Sequence, residues 1–261
     1  MSEDRATLSA STLNLLRECE RCFWLAVKKN LRRPRGPMPS IATGLDSFVT
    51  RYFHYYRKRG QLPPLLSGKL SGHLAGEELF DLKKGVKAKW LVYEDHRLTL
   101  VGKLDDCLVE AEGYSPLDYK TRASLPEEIH QSYQLQMDIY TFLLAKNKSQ
   151  RYPVSGRAYL LYFVPAFPEV QEEFELEKKE RLHFPFKAGL KVLTTCPESI
   201  PGLLDHAAEI LQREEPPSPG ECEYCQWAQQ WKEQADTASF PVKAEAASEE
   251  VQPEDSRETL F

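Results

Sequence analysis

Gly102-Lys103-Leu104-Asp105 and, beyond a Glu112-Gly113 turn, Ser115-Pro116-Leu117-Asp118-Tyr119-Lys120 form the stretch whose reading decides both fold and chemistry. Residues 98–109 and 115–120 are β-favouring runs, and a Glu-Gly turn between two such runs predicts an antiparallel hairpin. Side chains alternate across a strand, so Asp118 and Lys120 share one face, where the neighbouring strand can add Asp105. Two carboxylates held that close repel unless a cation lies between them, and a hard, oxygen-seeking ion such as Mg²⁺ meets that need. Asp-x-Lys alone also occurs in salt-bridged surface strands; the surrounding elements discriminate.

Outward from the hairpin, residues 90–93 predict a preceding strand and complete an antiparallel meander. Pro126 and Glu127 open a helix through Ile129, Tyr133, Tyr140 and Leu144, and apolar strands follow at 157–164 and 170–176. The order β-β-β-α-β implies an α/β fold with a mixed sheet flanked by helices. Upstream, Ser9, Ser11 and Thr12 cap an amphipathic helix running through Leu13, Leu16, Phe23 and Val27, and a second helix covers 41–59, making a helical N-terminal part. A last helix at 200–212 leads into Pro216, Pro217 and Pro219. Residues 1–234 are expected to form one domain. Residues 235–261 are small and acidic, too poor in apolar surface to fold, and read as a disordered tail. Its tip, Thr259-Leu260-Phe261, either docks a partner or merely ends a solubilising segment.

The net charge of −5 does not announce a nucleic-acid binder, but its distribution does more than its sum. From Arg17 to Gly60 there are eleven Lys or Arg residues against Glu18, Glu20 and Asp46, so this segment can face phosphate or form solvated helix faces. No apolar run approaches the roughly 18 residues of a membrane span, and no targeting segment is visible at Met1 to Ala10, which makes the cytoplasm the expected location.

Cysteines 19 and 22, and again 222 and 225, are spaced Cys-x-x-Cys near opposite ends of the chain. A chain this long does not need disulfide staples, and close-spaced thiols in a reducing compartment point to metal ligation. Cys107 and Cys196 are expected in the core.

Gly-x-x-Asp ending at Asp105, Asp-x-Lys at Asp118–Lys120, then a helix with Gln136-x-x-x-Tyr140 resembles the RecB-like branch of the PD-(D/E)XK nucleases. The resemblance implies a restriction-endonuclease-like core and Mg²⁺ or Mn²⁺ held by Asp105 and Asp118. It also implies a catalytic Lys120, supported by Gln136 and Tyr140. The likeness extends to AddB-like and CRISPR-associated nucleases, whose N- and C-terminal cysteines hold an iron–sulfur cluster. Carried over, it makes Cys19, Cys22, Cys222 and Cys225 ligands of a [4Fe–4S] cluster, with structural Zn²⁺ as the alternative. Glu20 replaces the proline of the family's first cysteine box, and the cysteines divide two and two rather than one and three. A further ligand is expected from an early helix, with Asp46 placed better than His54. The implied function is a DNA nuclease, an exonuclease on single-stranded ends in repair or recombination, with DNA and a helicase or repair protein as partners. The alternatives are a noncatalytic nucleic-acid-binding module with a structural metal and a metal scaffold docking partners through its tail.

Overall fold

A computed structural model describes residues 5–34, 36, 40–82, 87–95, 97–148, 151–166 and 185–237. In chain order it places β1 (Ala6–Leu8), α1 (Ala10–Glu18), α2 (Glu20–Lys28), α3 (Ser40–Arg57), β2 (His73–Leu74), β3 (Phe80–Asp81), β4 (Lys87–Ala88), β5 (Leu91–Glu94) and β6 (Leu98–Gly102). Then come β7 (Asp106–Glu110), β8 (Gly113–Thr121), α4 (Gln131–Lys146), β9 (Arg157–Pro165), β10 (Phe186–Thr194), α5 (Ile200–Gln212) and α6 (Glu223–Thr237).

The main sheet runs β10-β9-β8-β7-β2 and is mixed: β7 and β8 pair antiparallel, β8 and β9 parallel, and β9 and β10 antiparallel. The parallel step requires a crossover, and α4 supplies it. Alternation along the strands divides the core in two. Leu117, Tyr159, Leu161 and Phe163 pack against Val49 and Phe53 of α3, while Leu160 and Tyr162 belong to the larger cluster with Leu135, Ile139 and Leu143 of α4. The result is a three-layer α/β structure, helix on each side of the sheet.

Several sequence expectations need correction. The single strand at 98–109 is two: β6 pairs with β1 and β5 in a separate sheet, and the chain leaves it at Lys103-Leu104 to enter the main sheet as β7, so there is no continuous meander. The first helix is two helices broken at Cys19, whose extended backbone (φ −166°, ψ 111°) ends α1 and begins α2. The expected strand at 170–176 lies outside the described residues, and β10 was not anticipated. Nor was α6, which runs on to Thr237; the remainder of the expected tail also lies outside the described residues. Cys107 is buried as expected, but Cys196 is exposed, since it precedes a short 3-10 turn at the surface.

Candidate active site

The hairpin sets the geometry. Asp106 pairs with Leu117, so the next step outward puts Asp105 opposite Asp118. Consecutive residues point to opposite faces, and the two aspartates therefore part company. Asp106 turns toward α3, where it is fully buried and held by Arg57 Nη2, by Tyr119 OH at 2.7 Å and by the Cys107 backbone N–H at 2.7 Å. Arg57 is itself fixed by donating to the Ala75 carbonyl at 2.7 Å and lying 4.2 Å from the centre of the Phe80 ring. Asp105 turns toward α4, with its Oδ2 accepting the Tyr119 N–H at 3.1 Å. Tyr119, the middle residue of Asp-x-Lys, thus touches both aspartates.

On the α4 face the charges interlock. Lys120 Nζ stands 2.5 Å from Asp118 Oδ2 and donates to Gln136 Oε1 at 3.1 Å, above the Tyr133 ring at 4.5 Å. The Gln136 amide donates to Asp118 Oδ1 at 3.0 Å and to the Tyr140 hydroxyl at 2.9 Å. Gln136 and Tyr140 share a helix face by their spacing of four, and α4 packs closely on the end of β6 because Gly102 leaves room. A Cβ at Gly102 would lie 2.6 Å from Leu143 Cδ1 and 3.3 Å from Tyr140 Cε1.

Asp105 keeps an exposed edge, yet its carboxyl is pushed up to about 8, first by the protein that displaces water around it and then by the charge of Asp118. Asp118 is raised too, by burial, against the pull of Lys120. Its Oδ2 is buried and has no hydrogen bond, the Lys120 contact being an ion pair without hydrogen-bonding geometry. A pair of opposed, desolvated carboxylates is an environment that a divalent cation relieves. Mg²⁺ commonly takes only one or two carboxylates and keeps water for the rest.

Asp46 is exposed on α3, and its charge adds to the upward shift of Asp118. Among the described residues, no third His, Cys, Asp or Glu joins Asp105 and Asp118 in a three-ligand group. His54 is half-buried with its Nδ1 unbonded, and burial, Arg57 and Lys58 lower its pKa. Sequence reading missed the Arg57–Asp106–Tyr119 brace, although the period of two within Asp105-Asp106 was the signal for it.

The four predicted cysteine ligands come together across the whole chain. Cys19 Sγ is 3.7 Å from Cys225 Sγ, Cys22 is 3.7 Å from Cys222 and 3.9 Å from Cys225, and all four sulfurs lie within 4.8 Å of one another. Four sulfurs each about 2.3 Å from one tetrahedral ion are about 3.8 Å apart, so this spacing accepts a single ion directly. A cubane cluster, with irons and sulfides between the thiolates, requires them to spread. Burial pushes Cys22 up to about 12. Burial also opposes ionisation of Cys222, but the Cys225 backbone N–H and the neighbouring thiols outweigh it and bring Cys222 down to about 6. Metal binding must therefore displace protons here.

The sequence profile of the PD-(D/E)XK nuclease superfamily matches residues 50–230. The chain belongs to this superfamily. Members of the PD-(D/E)XK superfamily are mostly nucleases that use divalent metals. The matched segment contains Asp105, Asp118, Lys120, Gln136, Tyr140 and the second cysteine pair, whereas Asp46 and the first cysteine pair precede it. The solved structure of SSO0001 is similar at 13% identity, over 88% of this chain and 87% of that one, with a TM-score of 0.40. No curated protein matches. Among the described residues, no helix is long and apolar enough to cross a membrane.

Proposed function

We propose that this protein is a metal-dependent DNA nuclease of the RecB-like branch, working on single-stranded ends as an exonuclease in repair or recombination. The observation that carries the reading is the interlocked set of Asp105, Asp118, Lys120 and Gln136 on one face of the sheet. Asp105 and Asp118 would hold Mg²⁺ or Mn²⁺, which when bound supplies an activated water and neutralises phosphate charge. Lys120, held between Asp118 and Gln136, presents a fixed positive charge where negative charge develops on the phosphate. Gln136 orients both partners through the two ends of one amide, and Tyr140 fixes that amide. Asp46, on an exposed turn of α3, is the candidate for a further, water-mediated role at the metal.

The decisive experiment is cleavage of end-labelled single- and double-stranded DNA with Mn²⁺, comparing wild type with Lys120→Ala, both purified without oxygen. Cleavage by wild type should fall about a hundredfold or more in the variant. A folded, metal-loaded wild type that cuts neither form would replace this reading with a noncatalytic nucleic-acid-binding module.

The four thiolates are proposed to hold a structural metal. The resemblance favours [4Fe–4S] and the sulfur spacing favours Zn²⁺. Metal analysis with visible absorption of the anaerobic protein separates the two, since only the cluster is coloured.

A further inference from the structure

A recess of about 390 Å³ opens beside the catalytic face, with Gln136, Tyr140 and Tyr133 on its inner side and Trp90 and Lys103 on its outer side. Its wall at Ser9, Ser11, Asn14 and Val101 is also the wall of a second, larger groove of about 1270 Å³. The two therefore adjoin along α1. At its far end the groove meets Lys28, Arg32, Arg33 and Tyr224.

The chemistry along the path is consistent. Trp90 is 62% exposed, an expensive place for a large apolar ring, and Lys103 Nζ stands 4.9 Å from its centre. Lys28 and Arg32 are exposed in the groove, and Arg33 lies 4.6 Å over the Tyr224 ring. Glu18 is the acidic residue on this wall, and it is engaged by Arg33 at 2.5 Å. Cations interleaved with aromatic faces suit a flexible strand that offers phosphates and unpaired bases in turn. The recess has room for one nucleotide unit beside Gln136 rather than for the two backbones of a duplex.

We infer that this groove is the track of a single nucleic-acid strand. Trp90 stacks a base next to the catalytic face, and Lys28 and Arg32 hold the phosphates farther along. The inference rests on the nuclease reading but is tested by binding instead of cleavage. Tyr224 lies between Cys222 and Cys225, so the metal knot also shapes the far end of the track.

The test uses the full, metal-loaded chain carrying Lys120→Ala, with anisotropy of fluorescein-labelled oligothymidylate and of a labelled hairpin duplex. Adding Trp90→Ala should weaken oligothymidylate binding about tenfold and leave the duplex little changed, whereas Trp90→Phe should restore most of the loss. Adding Arg32→Gln should flatten the salt dependence by about one released counterion. Trp90 is exposed, so the fold should survive, and an unchanged circular dichroism spectrum checks this. Unaltered oligothymidylate binding in Trp90→Ala, or an equal loss on the duplex, would overturn the inference. That result, with wild type cutting and Lys120→Ala inert, would leave the nuclease reading intact. If wild type cut nothing, a Trp90-dependent preference for the single strand would still support the track.

Discussion

The carboxylate face and the cysteine knot are built in opposite ways. Asp105, Asp118, Lys120, Gln136 and Tyr140 lie within one hairpin and the helix after it, and each is placed by local register. Cys19 and Cys225 are 206 positions apart and are brought together only by the tertiary fold. The first site is thus inherited from secondary structure, while the second is a consequence of the complete tertiary fold. Damage to one should be chemical and damage to the other structural.

The largest expected effect breaks the chemistry alone. Asp118→Asn should lower single-turnover cleavage with Mg²⁺ by about a thousandfold while DNA affinity and melting temperature stay near wild type. Retained activity would show that the carboxylate face is not the reacting site. Cys222→Ser should do the reverse, lowering metal content and cutting the melting temperature by roughly 10 °C, because closing so long a loop restrains the unfolded chain by about 5 kcal/mol. Unaltered metal content in a metal analysis would remove Cys222 from the ligand set.

Arg57→Met blurs the comparison deliberately, since Arg57 lies outside both sites but braces Asp106 from the far face of the sheet. Stranding a buried carboxylate should cost about 3 to 5 kcal/mol in urea unfolding and weaken Mg²⁺ binding at the neighbouring Asp105. Stability lost with metal affinity unmoved would separate the brace from the site. The smallest effect is expected from Tyr119→Phe, which keeps the backbone bond to Asp105 and removes only the hydroxyl bond to Asp106. Its cost should be about 1 to 2 kcal/mol, with cleavage reduced only a few-fold.

What the sequence disclosed follows from the same contrast. Asp118 and Lys120 on one face, and Gln136 and Tyr140 four apart, are periodicities readable without a fold. The helix at 200–212 was legible for the same reason and matches α5 residue for residue. The break at Lys103-Leu104 was not, because a strand that changes sheets keeps the same β-favouring residues on both sides of the change. The split at Cys19 was hidden in a continuous apolar stripe, and α6 was masked by its overall polarity, its apolar face being little more than the exposed, mutually stacked Trp227 and Trp231. The cysteine quartet was legible only as chemistry, four thiols able to bind an ion, and not as geometry. Arg57 was read merely as part of a basic run, since nothing local tells a buried cation from a solvated one.

The joining of Cys19 and Cys22 to Cys222 and Cys225 also has a mechanical meaning. Once a metal is bound, tension applied between the first and last described helices would pass from end to end through metal–sulfur bonds. The sheet and its carboxylates would carry no load until one of those bonds gave way.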